Sequence, residues 1–153
     1  MTSPLLWIHA IAGAAWVGAS ACFVIAGIGL VPGSGEALNF AVRGAPKING
    51  FAMGAAIVLV LSGIANLFVI IKDRRGALPA EFVMVLGIKV VLFFAMLAAI
   101  GSAIRAGAAA RGEIERGNVN AVPPAIRSMT IAHGTVMAMG AVALILGLWL
   151  TGS

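Results

Sequence analysis

Lys89, His9 and His133 are the residues of this chain best placed to do chemistry, because each lies inside a long apolar stretch. Lys89 interrupts VMVLGIKVVLFFAMLAAIG, a run long enough to cross a bilayer. A charged group at membrane depth costs at least about 2.5–3.5 kcal/mol, so it is expected to face a partner or a cavity rather than lipid. The two histidines offer ring nitrogens that suit metal or haem iron.

The spacing around the three residues suggests two polar layers. At about 1.5 Å of rise per residue, His9 and Asn66 lie about 8 Å, and Lys89 about 10 Å, from the same end of their segments. His9, Gly13 and Trp16 share one helical face, as do Ser62 and Asn66. Inward-turned faces would gather His9, Asn66, Lys89 and Trp16 into a cofactor-binding cluster. The plainer alternative has Asn66 and His9 satisfying each other across helices while Lys89 snorkels to the interface.

Toward the other end, Met129 and Met137 flank His133 at i−4 and i+4, and Met53 sits at similar depth. Thioether plus imidazole is a soft ligand set suited to Cu(I), and His/Met or single-His ligation also suits haem iron. Methionine is equally a common filler of apolar gaps. His9 and His133 fall in opposite leaflets, roughly 10–15 Å apart in a hydrocarbon layer about 30 Å thick. Two sites are therefore expected, or one site and one structural histidine, with His9 also a candidate metal ligand.

Four apolar segments must position these groups, over approximately 4–31, 48–71, 82–104 and 126–150. Each is near the roughly 20 residues that a spanning helix needs. The expectation is an all-α integral membrane protein: a single four-transmembrane-helix bundle over residues 1–153. Pro123 and Pro124 suit the opening of the fourth helix, and RGEIER reads as a short interfacial helix. Glycine-rich surfaces around Gly13 and along Gly140/Leu144/Gly147 let helix backbones approach closely where lipid gives no hydrophobic drive.

Composition agrees. Of 153 residues, 61% are hydrophobic and only 10% charged, against about 25% charged in a soluble domain. The net charge of +5 and pI near 10.8 would suit nucleic acid. The bases instead gather at segment ends, where anionic headgroups explain them, and no nucleic-acid partner is expected.

The loops between segments one and two and between three and four carry Arg43, Lys47, Arg105, Arg111, Arg116 and Arg127; the middle loop carries Lys72, Arg74 and Arg75. That bias places both termini outside a bacterial inner membrane, with Trp7 and Trp149 at one outer interface. The start lacks a basic n-region, so the first segment is expected to be a retained helix. Cys22, the sole cysteine, has no intrachain disulfide partner. The acids Glu36, Asp73, Glu81, Glu113 and Glu115 all fall in loops or at segment ends, so catalytic groups are scarce and the reading leans away from an enzyme.

Three stretches resemble the copper-resistance protein D family. WIHAIAGAAWVGA has its histidine followed by Trp-x-Gly (His9, then Trp16-Val17-Gly18). LSGIANL (Leu61–Leu67) resembles its second-helix Ser-Gly element, and LGIKVVLFFAMLAAIGSAIR (Leu86–Arg105) its third helix, with a glycine, a lysine and a closing arginine. The resemblance implies copper binding, transport or homeostasis, with His9 and Lys89 as the polar residues of interest. The same helix pattern is similar to that of membrane protoporphyrinogen oxidases, whose first-helix histidine is associated with haem; there too His9 matches. Two further readings stay open: a haem-b redox protein, with His9 or His133 as axial ligand and Lys89 or Arg105 at the propionates, and a small structural subunit. The lipid bilayer is the first partner, and the chain's glycine-rich faces also suit a homo-oligomer or a larger membrane complex.

Overall fold

The computed structural model describes the backbone of residues 4–76 and 78–152, and the side chains of those as far as 147. Helix α1 runs Pro4–Gly29, a short α2 covers Gly35–Asn39, and a π-helical stretch Phe40–Gly44 leads into α3, Ala45–Asp73. Helix α4 spans Ala80–Glu115, and a 3-10 turn, Val119–Ala121, opens α5, Val122–Gly152. Four helical runs are long and apolar enough to cross a membrane: Pro4–Gly29, Gly35–Asp73, Ala80–Glu115 and Val119–Gly147. The chain is a multi-pass membrane protein with an all-α four-helix architecture.

Helix α1 packs broadly on α3 and α5, α4 packs on α5, and α3 touches α4 only lightly. Residue pairing gives the direction. Lys89 reaches Gly147, Met96 reaches Gly140 and Met129 reaches Gly107, so α4 and α5 run antiparallel. Asn66 meets Leu5 and Leu59 meets His9, so α1 and α3 do too. The result is an up-down-up-down bundle.

Small residues bring the backbones together. Ala12, Ala19, Ala52, Ala56 and Ala103 are buried, and a Cβ on Gly140 would stand 2.4 Å from Val17 Cγ2. α1 and α5 thus come close at Gly140, on a glycine face the sequence suggested, and again at Gly27, whose added Cβ would meet Thr130 Oγ1. Ile11, Ile25, Phe68, Phe94 and Leu144 face outward, as lipid-facing side chains do. Trp7 is 62% exposed at its end of α1; its expected counterpart, the side chain of Trp149, lies outside the described residues.

Two segment boundaries differ from the sequence reading. The first connection is mostly helical. Ser34 Oγ accepts from Ala37 N–H at 3.1 Å and caps α2. Ala37, Ala41 and Ala45 then form a buried row against Met129 and Ile126. Phe40 folds over Gly44, whose added Cβ would lie 2.8 Å from the ring, and meets Phe23 edge-on at 5.1 Å. The second difference is at α4, which continues through RGEIER to Glu115 rather than breaking into an interfacial helix. Its 36 residues span about 54 Å at 1.5 Å each, well beyond the hydrocarbon. Ala110 and Ile114 pack against Val122 and Ile126, which keeps the extension helical. It ends at Gly117, where φ is +85° and Asn118 N–H returns to Glu113 O.

Candidate functional site

Two polar layers are present, on the helices the spacing suggested, and their chemistry differs. In the layer near the start of α1, His9 Nδ1 lies 3.0 Å from Leu59 O and 3.2 Å from Ser62 Oγ. A carbonyl oxygen only accepts, so Nδ1 carries the proton and donates. Ser62 Oγ donates to Val58 O at 2.7 Å, leaving a lone pair toward His9. The neutral ring's Nε2 therefore presents a free lone pair. Histidines that bind metals or haem iron are oriented in this way, by a hydrogen bond from the other ring nitrogen to a carbonyl or carboxylate.

Glycines make room for both basic groups of this layer. A Cβ on Gly63 would lie 3.0 Å from His9 Cε1 and 3.3 Å from Nδ1, and one on Gly147 would lie 2.8 Å from Lys89 Nζ. The Lys89 ammonium makes no hydrogen bond or ion pair among the described residues, and it lies against Gly147 of α5. His9 and Lys89 are both half-buried. An imidazole lone pair and an unpaired ammonium thus share the interior at one end of the bundle. Asn66 lies one turn nearer the start of α1 and is otherwise engaged: its Nδ2 donates to Leu5 O at 3.1 Å and ties α3 to the first turn of α1. His9 and Asn66 each bond to the opposite helix, His9 to Leu59 O and Ser62 Oγ and Asn66 to Leu5 O, rather than to each other.

Trp16 lies below this layer, 1% exposed and edge-on to Phe93 at 5.5 Å. It forms the waist of the bundle with Ala52, Ala56, Met96, Ile100 and Val136. Its Nε1 finds no partner. The structure makes it a divider between the two layers, not a member of the His9 cluster.

The second layer is closed. His133 is fully buried, with Nε2 donating to Asn49 Oδ1 at 2.9 Å and Nδ1 accepting from Ser20 Oγ at 3.3 Å. Its ring stacks on Phe23 at 4.1 Å and 13°. Both ring nitrogens are used, and α1, α3 and α5 are joined through one side chain. The soft set expected around it has separate surroundings. Met129 is fully buried, with its sulfur 3.2 Å from the Cβ position of Gly107. Met137 is 38% exposed, and Met53 packs against the Trp16 cluster. A metal at His133 would first have to displace Asn49 or Ser20.

The sequence reading missed Ser20, Asn49 and Phe23. Ser20 was the most accessible of the three: it follows Trp16 by one turn, on the face already assigned to His9, Gly13 and Trp16. Arg105 is exposed at the far end of α4, with its guanidinium folded back toward Gly101, which places it away from the His9 layer. The chain matches no family model, and no curated protein or solved structure is similar to it.

Proposed function

We propose that this protein binds haem b through His9 Nε2, with Lys89 meeting a propionate, as a membrane redox protein. The observation that carries the reading is the Nδ1–H of His9 held on Leu59 O, which fixes the ring and leaves Nε2 free. The donor set fits: one imidazole supplies an axial ligand, and a nearby ammonium offsets the cost of burying a carboxylate. Bound haem b would supply one-electron redox chemistry; the chain's part is to hold, orient and shield it.

Copper handling, which the resemblance to the copper-resistance protein D family implies, would use the same nitrogen. A Cu(I) ion there would sit at the same end of the bundle as the Lys89 ammonium, a like charge, and could not draw on the occupied ring of His133. The geometry therefore supports haem over copper. In a bacterial inner membrane, the excess of bases on the first and third connections favours a cytoplasmic side for both. The His9 layer then faces the outer side.

The first test is the oxidised and reduced visible spectrum of protein purified in mild detergent from haem-replete cells. A Soret band and a reduced α band are expected; a colourless preparation overturns the proposal.

Gly63 gives a second, independent handle. Gly63→Val would force the imidazole away from Leu59 O without removing it. Loss of an orienting partner of this kind lowers affinity about 10–100-fold. Gly63→Ala should fall between, while improving helix propensity by about 1 kcal/mol. Haem titration into the apoprotein reads both. Unchanged affinity in Gly63→Val would mean that the Leu59 contact does not orient the ligand.

A further inference from the structure

The outer face of the α4/α5 pair carries a groove that the haem reading does not use. It has a volume of about 430 Å³ and runs from Pro124 and Arg127 past Ser128 and Ile131 to Thr135, with Ser102 across from it on α4. From Pro124 to Thr135 is 11 residues, or about 16 Å along the helix at 1.5 Å each, a distance on the scale of an acyl chain.

Its two ends differ chemically. At the inner end, the hydroxyls of Ser102 and Thr135 are turned back onto their own helices, Ser102 Oγ to Ala99 O at 2.6 Å and Thr135 Oγ1 to Ile131 O at 3.0 Å. They therefore offer carbon to the groove, beside Ile131 and Ala132. At the surface end, Arg127 and Ser128 are exposed and make no hydrogen bond or ion pair among the described residues. No acid lines the groove. Glu113, further out, is already paired with Arg116 and Asn118.

We infer that this groove binds one anionic phospholipid, with its phosphate at Arg127 and Ser128 and an acyl chain along Ile131 and Thr135. Charge complementarity selects the occupant: a base at the headgroup level beside an apolar channel attracts an anionic lipid over a zwitterionic one. Guanidinium also matches phosphate in geometry as well as in charge.

The test uses delipidated full-length protein in mild detergent, titrated with phosphatidylglycerol and with phosphatidylcholine of the same chains, and followed by native mass spectrometry. Phosphatidylglycerol should bind more tightly. Arg127→Ala should weaken it about fivefold, the effect of removing one base near a membrane surface, and weaken phosphatidylcholine, whose phosphate is offset by its choline cation, by less. Arg127→Lys should restore most of the difference, and Arg74→Ala, at the other end of the bundle, should change neither lipid. Equal binding of the two lipids by the wild-type protein overturns the site, as does undiminished phosphatidylglycerol binding in the Arg127→Ala/Ser128→Ala double variant. Displacement of the lipid by inorganic phosphate alone would also overturn it, because the apolar length would then contribute nothing.

Discussion

His9→Ala is expected to abolish haem retention while leaving the protein folded, and His133→Ala is expected to do the reverse. The asymmetry follows from what each ring holds together. Removing the His9 imidazole deletes the only free imidazole nitrogen that the described residues present, so affinity should fall at least about 100-fold. The groups it leaves behind lose little. Leu59 O is a helical carbonyl, and Ser62 Oγ keeps its bond to Val58 O. Removing His133 instead empties a fully enclosed position and orphans Asn49 in the core. Purification of both variants, with haem-to-protein ratio and helical content measured on the folded fraction, checks the pair. A His9→Ala protein that stays red, beside a folded His133→Ala protein that is colourless, would move the ligand to the other layer.

Much of this arrangement was legible in the sequence because lipid imposes so few solutions. A chain that crosses a bilayer must satisfy every backbone group within its own helices, so four apolar runs imply four helices. Polar residues inside those runs are costly enough to be worth locating by depth alone. Depth placed His9, Asn66 and Lys89 at one level; in the structure Asn66 meets Leu5, one turn nearer the start of α1 than His9, and Lys89 meets Gly147. Depth could not say which groups were already engaged. His9 and His133 have the same composition signal, yet one bonds to a backbone carbonyl through a single nitrogen and the other is clasped at both. That distinction depends on Ser20 and Asn49, two small polar residues whose roles appear only when three helices meet.

The missed helical start at Gly35 had a different cause. Gly and Pro at 32, 33 and 35 read as a loop, whereas the Ser34 cap and the four-residue spacing of Ala37, Ala41 and Ala45 carried the helix signal. Charge misled similarly at RGEIER. A charged stretch after an apolar run looks like a boundary, but an α-helix continues into water wherever a neighbour buries one side of it, as Val122 and Ile126 do for Ala110 and Ile114. The boundary of the membrane and the boundary of the helix are separate quantities.

If His133 serves as the tie among α1, α3 and α5, then His133→Leu should be among the most destabilising substitutions in the bundle, and a second change should partly undo it. Leucine is of similar bulk, so the main losses are two hydrogen bonds and the stack on Phe23. Ser20 can turn its hydroxyl onto a carbonyl of its own helix, as Ser62 and Ser102 do. Asn49 is 6% exposed and too far from water to recover, and a buried amide left unpaired costs about 1–3 kcal/mol. The aromatic stack adds about 0.5–1.5 kcal/mol. In a membrane the unfolded chain also finds partners for its polar groups, which holds the total near about 2–3 kcal/mol. Replacing both partners removes the orphan, so His133→Leu/Asn49→Leu should recover about 1 kcal/mol or more of that loss. Steric trapping or denaturant titration in detergent measures each member of the cycle. Additive losses in the double variant would mean that the two side chains do not depend on each other, and the buried tie would have to be placed elsewhere.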